Sequence, residues 1–355
     1  MRPLITALLL APVLAIAAPI PAPIPAPIPA PVPAAAAEPA TVKALLAEFA
    51  KTLSRDRVPD TGIVQMPAAL ARAGVTRFTV DDWGGNPIPV WLLNPASAGP
   101  DAPVMFVMHG VGRDADRYMA EWVDIATREG LVIIVPEFTR SNFPGNSNYN
   151  FGAVFDAAGH VRPRAQWSYS AIDAIFDRVV AREKLAAKTY ILFGHSAGAQ
   201  FVHRFVLLGV GEKMARAVSA NSGSYTWPIG PNRWPFGVSG LPQGVWIPQK
   251  ALGAPMLIMQ GTADNDPDYP SLPRQPEAMA QGPHRLARGK AFFAAAQDAA
   301  RAAGVPFNWS CALVPDVGHD NGGMAVYALR LLRAPALPKG GECRLMKKIT
   351  PGQAR

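Results

Sequence analysis

The chain has 355 residues, of which 49% are hydrophobic, and a formal net charge of +8. A chain of this length and apolar content can bury a large core, which excludes an intrinsically disordered protein. Its basic residues are scattered and form no stripe interleaved with aromatic side chains, so the sequence argues against nucleic-acid binding.

The first residues have the features of an export signal. Arg2 precedes an apolar run at residues 4–17 that is short for a membrane-spanning helix, and Ala15 and Ala17 occupy the small-residue positions of a cleavage site. We therefore predict a signal peptide at residues 1–17, a secreted or periplasmic protein, and no stable membrane insertion after cleavage. The alternative is an uncleaved anchor.

Residues 18–40 form a Pro/Ala-rich segment that repeats Ala-Pro-Ile-Pro. Proline at alternate positions is incompatible with a helix or a central strand, so this segment is predicted to be an extended linker. The folded domain is expected at residues 41–355. It contains two cysteines, Cys311 and Cys343, which are in no zinc-binding pattern. Export permits a disulfide between them, and two free thiols are the alternative.

Apolar runs and helical periodicities alternate along the folded part. Eight strands are predicted, at residues 76–80, 88–93, 104–108, 131–135, 190–193, 215–220, 256–259 and 311–314. Helices are predicted at residues 41–54, 118–128, 169–182, 199–208, 287–303 and 321–333. This order predicts an α/β protein with a mostly parallel, twisted sheet and helices on both faces. In such sheets, ligands bind beyond the carboxyl ends of the strands.

The most informative stretch is GHSAG at residues 194–198, which lies between a predicted strand and a predicted helix. A sharp strand-to-helix turn with serine at its apex needs glycine on both sides, because a side chain there would strike the neighbouring strand or helix. Ser196 is therefore the predicted nucleophile, and the N–H of Ala197 is a predicted oxyanion donor. The pattern also arises by chance in a chain rich in glycine and alanine, so its significance depends on partner residues.

A serine hydroxyl needs a base, and a histidine base needs a carboxylate. Among the six histidines, His319 suits the base because it follows the last predicted strand. His195 is expected to point away from the serine. Asp264, which follows a glycine turn after another strand, is the predicted acid, with Asp266 and then Asp268 as the alternatives. Capping of a turn is the other role open to these aspartates.

The loop after the strand at 104–108 begins with His109 and reads HGVGRDA. Its glycines allow the backbone to approach a substrate oxygen, so the N–H of Val111 is the predicted second oxyanion donor, with Gly112 as the alternative. His109 is expected to orient the loop by hydrogen bonding and not to act as the base.

Taken together, the order Ser196, Asp264, His319 and the loop motifs resemble the α/β-hydrolase superfamily over residues 75–333. Within it, the chain resembles secreted serine esterases of the polyhydroxybutyrate-depolymerase and feruloyl-esterase-like group. The resemblance implies an α/β-hydrolase fold with an eight-stranded sheet. It also implies Ser196 as nucleophile, His319 as base, Asp264 as acid, and neither a cofactor nor a metal.

Two long segments that follow strand ends, residues 138–167 and 221–249, are expected to form a small cap. Tyr225 and Trp227 are predicted to line an acyl or aryl pocket, and the alternative is that they pack the segment onto the body. The sequence thus predicts a serine hydrolase that cleaves a small-molecule or polymeric carboxylic ester through an acyl-enzyme. A peptidase or amidase with the same machinery and a non-catalytic binding protein on this scaffold are the alternatives.

Overall fold

The structure is a computed structural model that describes residues 66–333 and 339–349. The predicted signal peptide, the Pro/Ala-rich linker and the helix predicted at residues 41–54 lie outside the described residues. Within the described ranges, no helix has both the length and the apolar character that crossing a membrane requires.

The strands of the described residues form a single sheet. They are β1 Thr76–Val80, β2 Ile88–Leu93, β3 Val104–Met108, β4 Val132–Pro136, β5 Tyr190–His195, β6 Met214–Ala220, β7 Met256–Gly261, β8 Trp309–Val314 and β9 Arg344–Leu345. Their order in the sheet is β1-β2-β4-β3-β5-β6-β7-β8-β9. The β1–β2 and β2–β4 pairs are antiparallel, and the remaining neighbouring pairs are parallel. The prediction of a mostly parallel sheet is confirmed.

All eight predicted strands are present, with ends that differ by at most two residues. For residues 66–333 and 339–349, the strand count is nonetheless corrected to nine, because β9 pairs with β8 at the sheet edge. β9 has only two residues and both are exposed, so it has no apolar run that would reveal it in the sequence.

The helices of the described part are α1 Ala68–Arg72, α2 Ala115–Glu129, α3 Gly145–Asn148, α4 Ala171–Glu183, α5 Ala197–Leu207, α6 Pro248–Gly253, α7 Pro276–Met279, α8 Arg285–Ala303 and α9 Asn321–Arg333. They cover both faces of the sheet, because side chains alternate along each strand and both faces are apolar. Along β3, Phe106 packs into the core shared with α4, α5 and α8. Met105 and Val107 pack into the opposite core, shared with α2 and α9. The carboxyl ends of β5, β7 and β8 consequently meet at one edge.

The two long segments, residues 138–167 and 221–249, meet at Arg204 of α5. Its buried guanidinium donates hydrogen bonds to the carbonyl oxygens of Asn150 in the first segment, at 3.4 Å, and Pro235 in the second, at 3.2 Å. The guanidinium also stacks on an aromatic ring from each segment. Because a buried polar group is costly unless it is hydrogen-bonded, this contact fixes the two segments against the same helix.

A disulfide joins Cys311 in β8 to Cys343, which immediately precedes β9. The bridge spans 32 positions of the sequence and holds β9 beside β8 at the sheet edge. The pairing that the sequence left open is therefore present.

Replacing both cysteines with serine (Cys311→Ser and Cys343→Ser) should lower the free energy of unfolding by about 2–4 kcal/mol, because the bridge no longer restricts the unfolded chain. Urea denaturation followed by circular dichroism measures the change. Wild-type protein unfolded in the presence of a reductant is the matched control and should lose a similar amount. An unchanged midpoint in both samples would contradict a stabilising role for the bridge.

Candidate active site

Ser196 stands between β5 and α5 with a backbone conformation that L-residues rarely adopt, φ 58° and ψ −118°. This conformation turns the chain sharply from strand to helix and costs on the order of 1–3 kcal/mol. Glycine is required on both sides of it. A Cβ on Gly198 would overlap the carbonyl oxygen of Met108 in β3, and a Cβ on Gly194 would overlap the backbone of Gly198. The glycines therefore allow the close packing that fixes the serine hydroxyl above the sheet edge.

The structure brings together the three residues that the sequence singled out. The Nε2 atom of His319 lies 3.0 Å from the Oγ atom of Ser196, and its Nδ1 atom lies 2.8 Å from the Oδ2 atom of Asp264. The side chains of His319 and Asp264 are 8% and 2% exposed. These distances are hydrogen-bonding distances. The hydroxyl, the imidazole and the carboxylate therefore form one continuous chain that is largely shielded from water.

Asn221, at the end of β6, links the loops that hold the acid and the base. Its amide nitrogen donates to the carbonyl oxygen of Gly318, beside His319, at 2.9 Å. Its amide oxygen accepts from the N–H of Gly261, at the start of the Asp264 loop, at 2.8 Å. The role of Asn221 was not predicted from the sequence. An asparagine directly after a buried strand and before the long segment is the feature that points to it.

Asp264 is held on both carboxylate oxygens, because Nη1 of Arg285 lies 3.4 Å from Oδ1. Burial raises the pKa of Asp264 to about 6, and the Arg285 charge acts in the opposite direction. The carboxyl is consequently ionised at neutral pH and becomes protonated in acid. The alternatives Asp266 and Asp268 are both exposed, so Asp264 is the aspartate that reaches the histidine.

The loop after β3 faces the serine. Its residues 110–113 form a turn in which the N–H of Arg113 donates to the carbonyl oxygen of Gly110 at 3.2 Å. A Cβ on Gly110 would lie 3.8 Å from the Cβ atom of Ser196, so the turn packs directly beside the nucleophile position. Val111 and Gly112 line the same cleft as Ser196. Ala197, as the first residue of α5, has an N–H with no acceptor within its own helix.

Two buried residues hold this loop in place. The Nε2 atom of His109 accepts a hydrogen bond from the N–H of Phe138 at 3.1 Å, and burial lowers the pKa of His109 to about 4, so the ring is neutral. Arg113 donates to three carbonyl oxygens of residues 138–145 and stacks on Tyr149 at 4.3 Å. The position of His109 is thus consistent with the predicted role of orienting the loop after β3 by hydrogen bonding. The role of Arg113 in holding the loop was not predicted from the sequence. An arginine directly after the glycines of this loop is the feature that points to it.

His195 does not point away from the serine, and this expectation is wrong. Its ring centroid lies 4.6 Å from that of His319, and its Nδ1 atom is 3.1 Å from the hydroxyl of Tyr118. The reason is the alternation of side chains along β5. Phe193 packs on Trp122 of α2, and His195, two residues later, therefore faces α2 as well.

The hydroxyl of Ser196 opens into a cleft of about 400 Å³. One wall is the turn at residues 110–112 with Arg117 of α2, and the other is formed by Tyr269 and Ser271 of the loop after β7. Arg117 is paired with both Asp114, at 2.5 Å, and Glu121, at 2.6 Å. Among the described residues, no group of three or more His, Cys, Asp and Glu side chains is arranged to hold a metal ion.

The structure corrects the prediction for Tyr225 and does not bring Trp227 to the cleft. Tyr225 is completely buried. Its ring stacks on Phe292 at 4.3 Å and its hydroxyl accepts a hydrogen bond from Gln260 at 2.7 Å. Trp227 is half-buried and pairs through its backbone with Phe236 and Val238. Neither long segment contributes to the described cleft lining. Their aromatic rings pack the segments onto the body.

The strand order, the turn at Ser196 and the hydrogen-bonded trio define the α/β-hydrolase class. Two solved structures support a narrower assignment. Poly(aspartic acid) hydrolase-1 from Sphingomonas sp. KT-1 is 38% identical, with a TM-score of 0.69, over 72% of this chain and 97% of that chain. LpqC, a poly(3-hydroxybutyrate) depolymerase from Bordetella parapertussis, is 34% identical, with a TM-score of 0.68, over 74% of this chain and 91% of that chain.

This chain therefore belongs to the α/β-hydrolase family of these two enzymes. The resemblance to polyhydroxybutyrate depolymerases noted in the sequence is confirmed. No protein-family model matches the sequence, and no curated protein matches it significantly.

Proposed function

We propose that the protein is a serine hydrolase that cleaves carboxylic esters through an acyl-enzyme intermediate. The observation that carries this proposal is the hydrogen-bonded chain from Ser196 through His319 to Asp264, with distances of 3.0 and 2.8 Å, at the base of an open cleft. Membership of a family that includes a polyester depolymerase supports the same reaction class.

In the proposed reaction, the Oγ atom of Ser196 attacks the ester carbonyl carbon while Nε2 of His319 takes its proton. The carbonyl oxygen becomes an oxyanion, which accepts hydrogen bonds from the N–H groups of Ala197 and Val111. The imidazolium that forms is stabilised by the carboxylate of Asp264 through the Nδ1–H bond.

Collapse of the tetrahedral intermediate breaks the bond between the carbonyl carbon and the alkoxy oxygen. His319 donates its proton to the departing alcohol, and the acyl group remains on Ser196. A water molecule then attacks the acyl carbon with His319 again as base, and the carboxylic acid is released with Ser196 restored.

The charges of the cleft favour a neutral substrate over a polyanion. Arg117 is the cationic side chain among the described lining residues, apart from the histidines, and its guanidinium is already bound by Asp114 and Glu121. Asp320 also lines the cleft. A substrate with repeated carboxylates would meet the carboxylates of Asp114 and Asp320 without a free counter-charge. A neutral small-molecule or polymeric ester meets no such penalty.

An amide of the type named for the Sphingomonas neighbour is the second candidate substrate, because that protein is a poly(aspartic acid) hydrolase. The same residues would then serve for attack and protonation of the leaving group. Export is part of the main proposal. The leader-like residues 1–17 and the Cys311–Cys343 disulfide both support a secreted or periplasmic location, because disulfides persist in oxidising compartments.

The substitution Ser196→Ala should lower hydrolysis of a short-chain nitrophenyl ester by about 10⁴-fold or more, because the attacking atom is removed. It should also abolish covalent labelling by a fluorophosphonate probe while the circular dichroism spectrum stays unchanged. Ser170→Ala, at a serine outside the described cleft lining, is the matched control and should keep both activities. Labelling that persists in the Ser196 variant would show that the nucleophile is elsewhere. A wild-type protein that neither turns over nor takes the label would favour a non-catalytic binding protein.

The substitution Val111→Pro should lower kcat by about 10²–10³-fold with a smaller change in KM, because proline removes one oxyanion donor. Val111 occupies the second position of the turn at residues 110–113, where proline is well tolerated, so the loop should keep its shape. Val111→Ala retains the N–H and should retain kcat. An active proline variant would contradict the assignment and leave the N–H of Gly112 as the donor.

A pair of substrates with the same acyl group, one an ester and one an amide, should be cleaved with a clear preference for the ester. A neutral hydroxybutyrate oligomer should likewise be hydrolysed, whereas poly(aspartic acid) should resist hydrolysis because Asp114 and Asp320 line the cleft. Chromatography of the released products measures both pairs: the ester against the amide, and the hydroxybutyrate oligomer against poly(aspartic acid). Faster cleavage of the amide and of poly(aspartic acid) would replace the ester proposal by the amidase alternative.

A further inference from the structure

Arg285, the first residue of α8, is buried directly beneath the candidate acid. Its side chain is 1% exposed, and its Nη1 atom lies 3.4 Å from Oδ1 of Asp264, whose side chain is 2% exposed. The other carboxylate oxygen, Oδ2, bonds to Nδ1 of His319 at 2.8 Å. The carboxylate is thus fixed between a guanidinium on one side and the imidazole on the other.

The same guanidinium reaches the wall of the cleft. Its Nη2 atom donates to the hydroxyl of Ser271 at 3.1 Å, and its Cζ atom lies 4.6 Å from the ring centroid of Tyr269. The Tyr269 ring in turn meets the His319 ring edge to face, with centroids 5.0 Å apart. Tyr269 and Ser271 both line the cleft, so Arg285 contacts the acid and two residues of the cleft wall, one of which packs on the base.

An arginine at this position has an electrostatic consequence. A buried carboxylate without a cation in contact is strongly disfavoured in its charged form. The other titratable groups that face Asp264 are His319, Tyr225 and the nearby His284. Asp266 faces Arg285. His195, which packs on the His319 ring, belongs to the same cluster.

We propose that Arg285 is a positioning residue for this reaction. It balances the charge of Asp264, keeps that carboxylate aimed at Nδ1 of His319, and fixes Tyr269 against the imidazole. The proposal rests on the hydrolase function proposed above, because it assigns Arg285 a role in activating Ser196. It makes no assumption about the natural substrate.

The direction of the effect follows from the charges. Burial already raises the pKa of Asp264 to about 6, and the Arg285 charge opposes that rise. Without the guanidinium, the pKa of the carboxyl rises further, so Asp264 becomes protonated at higher pH. A protonated acid no longer stabilises the imidazolium of His319. Activation of Ser196 should therefore fail at a higher pH, with the acidic limb of the rate profile moved upward by about one pH unit or more.

The test measures the rate at which a fluorophosphonate labels Ser196 as a function of pH, in the full-length wild type and in Arg285→Gln. This rate reports the nucleophilicity of the serine without a substrate. Arg285→Gln should move the acidic limb upward and lower the maximal labelling rate. Arg285→Lys keeps the positive charge but not the planar fork that reaches both Asp264 and Ser271. We expect its acidic limb to lie closer to that of the wild type, with a maximal rate between those of the other two proteins.

Arg288, three residues further along α8, provides the matched control. It is equally buried, but its guanidinium donates to the carbonyl oxygens of Gly223, Pro273 and Gly282. Arg288→Gln should lower the melting temperature by leaving these carbonyl oxygens without a donor. It should leave the acidic limb of the labelling profile where it is in the wild type.

The outcomes separate this proposal from the one on which it rests. A folded Arg285→Gln protein whose acidic limb and maximal rate match those of the wild type, or change only as in Arg288→Gln, overturns the positioning role alone. If Arg285→Gln does not fold, the test depends on Arg285→Lys. A maximal labelling rate of Arg285→Lys equal to that of the wild type would then overturn the positioning role. A wild-type protein that takes no label overturns the hydrolase function and, with it, this proposal.

Discussion

The packing of the backbone on both sides of Ser196 is the constraint on which the rest of the site depends. The carbonyl oxygen of Met108 occupies the space that a side chain at residue 198 would need, and Ser196 adopts a positive φ to make the turn. The loop after β3 packs beside the serine at Gly110, where a Cβ would overlap the hydroxyl of Tyr118 in α2. The hydroxyl and the neighbouring N–H groups are therefore set by the fold, before any ligand is present.

Buried charge is the second organising factor. The side chains of Asp264 and Arg285 are both buried, and each charge is tolerated because of the other. Arg113 has no carboxylate in contact in the described structure, and its two Nη atoms donate to carbonyl oxygens instead. Arg113 connects the loops after β3 and β4, whereas Arg285 holds together Asp264, Tyr269 and Ser271 of the loop after β7. Asn221 performs the same task between the loops of the acid and the base.

Much of this arrangement could be predicted from the sequence because it depends on local patterns. Strands buried on both faces appear as continuous apolar runs, and the glycines around Ser196 and before Asp264 mark turns that the backbone cannot otherwise make. The Ser-Asp-His order then identified which loops would meet. The fold class and the residues that converge at the sheet edge were therefore accessible without coordinates.

Other features depend on distances that no local pattern contains. An aromatic residue in a long loop looks the same whether it packs inward or lines a pocket, and Tyr225 packs inward on Phe292. The direction in which the His195 side chain points depends on which face of β5 is packed against α2. The contact of Arg285 with Asp264 joins a helix start to a loop 21 positions earlier, and nothing in either stretch specifies it.

We propose that Ser196, His319 and the N–H groups of Val111 and Ala197 surround one reacting centre. A crystal structure of the protein after reaction with a fluorophosphonate would show whether they do. Phosphorus should be bonded to Oγ of Ser196, with one phosphoryl oxygen within hydrogen-bonding distance of both N–H groups and Nε2 of His319 beside the serine oxygen. Phosphorus attached to another residue, or a phosphoryl oxygen directed away from residues 111 and 197, would contradict it.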